Sequence, residues 1–160
     1  MSECGCGLCK EYISKTNVVC DYKYSFLMFN KYPYLCGHLL LVPKRAVPSL
    51  GDLTAEERVE ILDKIIEAQE IVIGALGPSE FGVTSVNIGI NFGPHSGASI
   101  PTHLHIHIVP RRPNDTNFMH TCMFSGETNE TATQRNPKMF SGLYENARKL
   151  ILDYVKTKTE

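Results

Sequence analysis

Histidine and aliphatic residues alternate strictly over His103, Leu104, His105, Ile106 and His107. Alternate side chains of a β-strand point to opposite faces, so the three imidazoles are predicted to line one face while the aliphatic residues enter the core. Such a row can divide the work of phosphate chemistry among a nucleophile, a ring that orients it and a ring that places charge beside a phosphate. A shared metal ion fits less well, because the backbones of His103 and His107 would lie about 13 Å apart in a strand.

The loop before these histidines favours an anionic ligand. Residues 92–102 contain Gly93, Gly97 and Ser99, which allow close backbone approach and offer N–H groups and a hydroxyl to an anion. Four basic residues follow the ends of two predicted strands and could either collect near this loop or simply face solvent: Lys44, Arg45, Arg111 and Arg112. The formal net charge of −1 gives no general reason to bind nucleic acid or an anionic membrane.

The elements that must position these residues can be predicted from apolar runs and turn residues. Five strands are predicted at residues 17–20, 24–30, 38–42, 83–91 and 104–109. Thr54 and Glu57 have the spacing of a capping box and begin a long amphipathic helix, and a second helix is predicted at 141–157. The fold class is therefore predicted as α+β, with a five-stranded antiparallel sheet and two helices.

The length of 160 residues predicts one domain over 1–160, with a cysteine-rich tail at 1–9 and a variable loop at 113–138. Neither a secretory signal nor an apolar run long enough to span a membrane is visible in the sequence. We therefore expect a cytoplasmic protein, with the nucleus as an open alternative. Reduced thiols are expected for its six cysteines.

At 103–109 the chain resembles the histidine-triad (HIT) superfamily, whose signature is three histidines alternating with hydrophobic residues. The resemblance extends through NKYPYLCGHLLLVPKR (30–45), the helix start LGDLTAEE (50–57), the loop NIGINFGPHSGAS (87–99) and residues 115–119. It covers roughly residues 6–119. These blocks are most similar to the branch that contains fragile-histidine-triad hydrolases and diadenosine tetraphosphate phosphorylases, and they imply the HIT-like fold.

The resemblance implies a role for each matching residue. His105 would be the nucleophile, His103 would hold its ring orientation, and His107 and His38 would contact the phosphates. Asn30 would bind the ribose, and apolar residues of the second strand would hold the purine, with Phe26, Leu27 and Phe29 as candidates. The scissile phosphate and the leaving group would be held by Asn91, Gly97 and Ser99.

The resemblance also implies the reaction. A diadenosine polyphosphate, or a related adenine nucleotide, would be cleaved at the α-phosphate through a nucleotidyl-phosphohistidine, by hydrolysis or phosphorolysis and without a required cofactor. A nucleoside 5′-phosphoramidase and an AMP-binding sensor with incidental turnover are the alternatives. A further alternative is a metal-binding protein in which Cys6, Cys9 and the histidines of the strand are the ligands. The family favours a two-fold homodimer.

One block departs from the family pattern. Cys6 and Cys9 match a Cys-x-x-Cys that many members use for structural zinc, together with the first triad histidine and a histidine of a Pro-Lys-x-His segment. The corresponding position in this chain is Ala46. Two interpretations stay open: Cys4 takes the place of the absent ligand, or the segment is a tail with free thiols. The Trp that often follows Pro-Arg after the triad is Arg112 here, which predicts a different leaving-group pocket.

Overall fold

The computed structural model describes residues 4–115 and 137–159. Its strands are β1 (Val18–Asp21), β2 (Ser25–Phe29), β3 (Leu39–Pro43), β4 (Ser85–Ile90) and β5 (Ile106–Arg111), and its helices are α1 (Gly7–Ser14), α2 (Ala55–Leu76) and α3 (Pro137–Thr159), with a 3-10 turn at Leu50–Asp52. Within these ranges the strands form one antiparallel sheet in the order β1-β2-β3-β5-β4. The predicted five-stranded sheet is confirmed.

One face of the sheet is covered by α2 and α3. The predicted capping box starts α2: the Thr54 hydroxyl accepts the Glu57 N–H, and the Glu57 carboxylate accepts the Thr54 N–H. The main core on this face contains Leu27 and Phe29 of β2 together with Ala147 and Ile151 of α3. No helix among the described residues is long and apolar enough to cross a membrane.

The opposite face carries a row of neighbouring side chains across four strands. Met28 pairs with Leu40, Leu40 pairs with His107, and His107 pairs with Gly89. Because the period of a strand is two residues, these four positions share one face of the sheet, while Leu27 and Leu41 point to the helices. We call this side of the sheet the site face.

The helix α1 was not predicted from the sequence. It covers part of the site face, where Leu8 packs with Phe26, Met28 and Leu40. With only eight residues, it is too short to show clear periodicity, and its cysteines had indicated a tail. The helix predicted at 141–157 lies within α3, which begins at Pro137. Most of the loop expected at 113–138 lies outside the described residues.

Candidate active site

His105 presents a defined tautomer to the site face. Its Nδ1 atom lies 2.9 Å from the backbone carbonyl oxygen of His103. A carbonyl oxygen can only accept a hydrogen bond, so Nδ1 carries the proton and Nε2 of the neutral ring keeps its lone pair. The family-based expectation gave the His103 ring this orienting role, whereas the structure shows that the backbone carbonyl of the same residue makes the contact.

A second chain of hydrogen bonds fixes the tautomer of His107. The Tyr34 N–H donates to His38 Nδ1 at 3.1 Å, so the proton of a neutral His38 sits on Nε2. His38 Nε2 lies 3.0 Å from His107 Nδ1 and donates to it. His107 therefore carries its own proton on Nε2, a buried atom with no hydrogen-bond partner among the described residues. A donor without a partner remains available to a ligand.

Burial keeps the rings of His38 and His107 neutral. It lowers the pKa of His107 to about 4, with a smaller contribution from His105. Burial also lowers the pKa of His38 well below the ordinary histidine value, assisted by His107 and His105. At neutral pH these two rings thus offer a hydrogen-bond donor rather than a positive charge, unlike the charged neighbour that the sequence suggested.

His105 and His107 open into a pocket of about 610 Å³ on the site face. Its apolar floor comes from Leu8, Met28, Leu40 and Ile100. Its remaining walls are polar or glycine-rich. They include Gly7, Glu11, Asn30, Lys31, Tyr32, Tyr34, Gly89, Asn91, His95, Ser96, Gly97 and Ser99. A volume of this size matches a small-molecule site, and several polar groups converge in it.

Asn30, Asn91, Gly97 and Ser99 all line this pocket with two of the triad histidines. The Oδ1 atom of Asn30 accepts the Tyr32 N–H at 3.0 Å, which turns its amide nitrogen toward His38 Nδ1, 3.2 Å away. Gly97 has a φ of +80°, a left-handed conformation that L side chains rarely adopt. The structure thus brings these four sequence-predicted positions together.

Four other sequence-predicted positions lie elsewhere. Leu27 and Phe29 point to the helix face because they alternate with Met28 along β2, and Phe26 lies beneath Tyr12, with ring centroids 4.5 Å apart. His38 is fully buried behind His107 and does not line the pocket. The apolar contact from β2 is therefore Met28, and His38 touches the pocket only through His107.

The basic residues proposed near the loop are also engaged elsewhere. Lys44 pairs with Asp21 at 2.6 Å, Arg45 with Glu57 at 2.6 Å, and Arg111 with Asp115 at 3.3 Å. None of these side chains lines the pocket, and neither does Arg112. The cationic side chain in its wall is Lys31, which lies one residue after Asn30 and 3.9 Å from Glu11. Nothing in the sequence except its position next to Asn30 indicated that Lys31 would line the pocket.

His103 turns away from the pocket. Its ring is buried and its Nδ1 atom lies 3.3 Å from the sulfur of Cys6 and 3.6 Å from the sulfur of Cys9, with Cys4 at 3.8 Å. The predicted common face of three rings fails because residues 101–103 form a turn before β5, so His103 lies outside strand geometry. These four residues can offer a metal ion one nitrogen and three sulfurs.

The order of these elements, the histidine pair and the glycine-rich loop can be compared with known proteins. A family model described as HIT domain matches residues 12–114. The chain belongs to the HIT family. Its matched region contains the whole sheet, α2, the pocket loop and all three triad histidines.

Relatives within the HIT family include enzymes of dinucleoside polyphosphates. AP-4-A phosphorylase of Mycobacterium tuberculosis is 38% identical over 102 residues, which cover 64% of this chain and 50% of that protein. The asymmetrical bis(5'-nucleosyl)-tetraphosphatase of Schizosaccharomyces pombe is 37% identical over 93 residues, or 58% of this chain and 48% of that protein. This HIT chain thus spans about half the length of these two relatives.

The fold is shared with solved HIT structures. A Zn-bound histidine triad family protein from Mycobacterium smegmatis superposes with a TM-score of 0.65 at 20% sequence identity. The match covers 96% of this chain and 95% of that one. The similarity therefore extends over nearly the whole length of both HIT proteins.

Proposed function

We propose that this HIT-family chain cleaves dinucleoside polyphosphates at an α-phosphate through a covalent intermediate on His105. The observation that carries the proposal is the hydrogen bond from His105 Nδ1 to the His103 carbonyl, since it leaves Nε2 as a nucleophile in the pocket wall. The substrate class comes from the relatives, whose names are AP-4-A phosphorylase and bis(5'-nucleosyl)-tetraphosphatase.

In the first step, the lone pair of His105 Nε2 attacks the α-phosphorus and forms a P–N bond. The bond from phosphorus to the bridging oxygen breaks, and its electron pair leaves with the remaining nucleotide as a phosphate anion. The Nε2–H group of His107, whose ring centroid is 5.1 Å from that of His105, donates to an oxygen of the reacting phosphate. A fixed donor beside developing negative charge stabilises the transition state.

In the second step, water or inorganic phosphate attacks the same phosphorus and the P–N bond breaks. Its electron pair returns to His105 Nε2, and the attacking oxygen loses its proton to the medium. Water gives AMP and phosphate gives ADP. His105 thereby returns to its starting tautomer, because Nδ1 stays bonded to the His103 carbonyl throughout.

The pocket has apolar and polar walls, which suit the base and the phosphates of a nucleotide respectively. We assign the base to the apolar floor that contains Met28 and Ile100, and the ribose to Asn30 beside it. Asn91, Gly97 and Ser99 lie on the loop before the triad and would bind the phosphates and the leaving group. This arrangement keeps the base in apolar surroundings and the charged groups near the histidines.

The test is an incubation with diadenosine tetraphosphate, with and without inorganic phosphate, followed by separation of the adenine nucleotides. We expect ATP plus AMP from hydrolysis or phosphate-dependent ADP from phosphorolysis, and loss of either activity in His105→Asn. Rapid acid-free quenching with α-labelled substrate should place label on the wild-type protein and none on the variant. Thermal unfolding of both proteins controls for a folding defect.

Two results would redirect the proposal. Cleavage of a nucleoside 5′-phosphoramidate without cleavage of diadenosine tetraphosphate would assign the same nucleophile to a phosphoramidase. Tight AMP binding without turnover of either substrate would assign the pocket to a nucleotide sensor. Unchanged turnover in His105→Asn would reject the covalent mechanism altogether.

We also propose that the chain forms a homodimer. β4 is an edge strand of the described sheet, and its Ile88 side chain is 40% exposed. The helix α2 exposes Val59, Leu62 and Ile66, which are spaced so as to share one side of the helix. Association would cover both features. Light scattering coupled to gel filtration measures the mass, and a monomer at all concentrations would contradict this proposal.

Many members of the family hold a structural zinc ion, and the residues present in this chain suit one. Cys6, Cys9 and His103 would hold the ion. It would supply structural cross-linking rather than pocket chemistry, because His103 does not line the pocket.

A further inference from the structure

Three cysteine sulfurs surround one nitrogen beneath the pocket loop. The Sγ atoms of Cys4 and Cys9 are 3.1 Å apart, and those of Cys6 and Cys9 are 3.6 Å apart. The Nδ1 atom of His103 lies 3.3–3.8 Å from each of the three sulfurs. All four atoms fall within 4.8 Å of one another, so they enclose a space the size of one ion.

Most of these separations lie close to the edges of a tetrahedral zinc site, and the Cys4–Cys9 pair at 3.1 Å would have to open slightly to hold the ion. Zinc binds sulfur at about 2.3 Å and histidine nitrogen at about 2.0–2.1 Å, so the edges of its tetrahedron measure about 3.8 Å between sulfurs and about 3.5 Å between sulfur and nitrogen. A disulfide explains the cluster less well. It needs sulfurs about 2.05 Å apart, would use two of the three thiols, and gives no reason for a histidine nitrogen to face all three.

The tautomer of His103 points to the same conclusion. Its Nε2 atom lies 2.8 Å from the carbonyl oxygen of Pro43, which can only accept, so the proton of the neutral ring is on Nε2. Nδ1 then carries no proton, and its lone pair faces the sulfurs and can bind a metal ion. Histidines that bind metals commonly hold their other ring N–H on a backbone carbonyl in this way.

The local sequence brings the third sulfur into place. Cys6 precedes the first residue of α1 and Cys9 lies one turn later, so both sulfurs meet on one side of the helix start. Between Cys4 and Cys6, Gly5 has a φ of +62°, a left-handed turn that folds the chain back toward Cys9. Cys4 is thus held near the cluster although its own side chain is exposed.

We propose that Cys4, Cys6, Cys9 and His103 form a Cys3His zinc site in which Cys4 replaces the ligand that position 46 does not provide. Position 46 is alanine, which has no donor atom. Zinc binding displaces the thiol protons and involves no change of oxidation state. The site carries one more thiolate than a set of two cysteines and two histidines, so the zinc complex bears a net charge of about −1.

The site connects two walls of the nucleotide pocket. On one side it holds the start of α1, whose Gly7, Leu8 and Glu11 line the pocket. On the other it holds His103, whose carbonyl accepts the proton of His105 Nδ1. The zinc site therefore fastens α1 to the sheet and restrains the backbone that orients the nucleophile. This inference does not rest on the proposed activity, because it predicts metal content and local order.

The first experiment uses the wild-type chain purified without chelator. Elemental analysis is expected to give one zinc per chain, and X-ray absorption at the zinc edge a first shell of three sulfurs and one nitrogen. Cobalt substitution should give the visible bands of a tetrahedral thiolate site. A zinc-free chain that still takes up no added zinc, or one in which two of the three thiols form a disulfide under reducing purification, would overturn the proposal.

The second experiment compares Cys4→Ser with Cys20→Ser, a half-buried thiol outside the cluster. Cys4→Ser is expected to bind zinc at least tenfold more weakly and to lose one sulfur from the first shell, whereas Cys20→Ser keeps both properties. Hydrogen exchange should quicken at α1 and at residues 100–105 in Cys4→Ser and stay unchanged in α2. Three sulfurs retained in Cys4→Ser, with wild-type affinity, would show that Cys4 is not a ligand.

Discussion

The Nε2 atom of His38 lies 3.0 Å from the Nδ1 atom of His107, and this contact decides which nitrogen of His107 carries the proton facing the pocket. His38 is wholly buried and its own Nδ1 accepts the Tyr34 N–H, so its tautomer is set by the backbone. It acts on a ligand only through His107. His38 is therefore a positioning residue rather than a catalytic one.

Replacing His38 with alanine should lower kcat by at least about tenfold, the order expected when one donor to the transition state loses its alignment. KM should change little, because His38 does not line the pocket. His38→Gln should retain more activity than His38→Ala, since its amide N–H can still donate to His107 Nδ1. Steady-state kinetics on diadenosine tetraphosphate measures both. Equal loss in the two variants would contradict the hydrogen-bond role and indicate packing alone.

His107 should make the protein less stable in mild acid. Its pKa is about 4 in the folded chain and about 6.5 when unfolded, so between these values the unfolded state binds the proton and the folded state does not. The free energy of unfolding should thus fall as pH falls from about 6.5 to about 4, by up to about 3 kcal/mol from this residue. Urea unfolding at about pH 7 and about pH 5 should show a smaller loss for His107→Asn. Identical losses would count against this assignment.

Met28 and Leu27 are adjacent on β2 but should differ in their effect on nucleotide binding. Met28→Ala removes part of the pocket floor and should weaken AMP binding by about tenfold. Leu27→Ala should cost about 2–5 kcal/mol of stability while leaving the AMP affinity of the folded protein unchanged, because its side chain lies on the helix face. Calorimetric titration and urea unfolding separate the two effects. A large affinity loss in Leu27→Ala alone would reverse the assignment of faces.

Gly5→Ala should weaken zinc binding while leaving all four ligand atoms in place. A Cβ at this position meets nothing within 4 Å, so the cost is the left-handed backbone itself, about 1–2 kcal/mol, or roughly tenfold in affinity. Gly82→Ala is the matched control, with a φ of +57°, no atom within 4 Å of its Cβ and a place far along the chain from the cysteines. Competition with a chelator measures the zinc affinity of both variants. Equal affinities would show that the left-handed backbone at Gly5 does not contribute to zinc binding.

The strands and the long helix could be predicted because their signals are local. Apolar runs stopped by Pro43 and by glycines predict strands, and the Thr54–Glu57 pair predicts the start of α2. The orientation of β2 could not be predicted in the same way. All five of its residues are buried, so the alternation that normally separates the two faces is absent from the sequence.

The three triad histidines show a second reason why part of the site could not be predicted from the sequence. The regular alternation predicted one face for all three rings, but residues 101–103 form a turn before the strand, so His103 faces the cysteines instead. The sequence left two interpretations of Cys4 open, because the fold-back at Gly5 depends on backbone geometry that glycine permits without requiring. His105 lies in the pocket wall as its alternation with His107 predicts, and its role as the nucleophile stays a prediction.

The helix α3 belongs to the folded domain although it lies beyond residues 12–114, which match the HIT family model. Ala147 and Ile151 are fully buried, and the Tyr144 hydroxyl donates to the carbonyl of Asn30 at 3.1 Å, yet all three lie beyond the matched residues 12–114. A fragment limited to residues 12–114 would expose apolar surface and would lose the hydrogen bond from Tyr144 to the Asn30 carbonyl. Residues 12–114 therefore depend on α3, and a chimaera that exchanges this pocket would have to include α3.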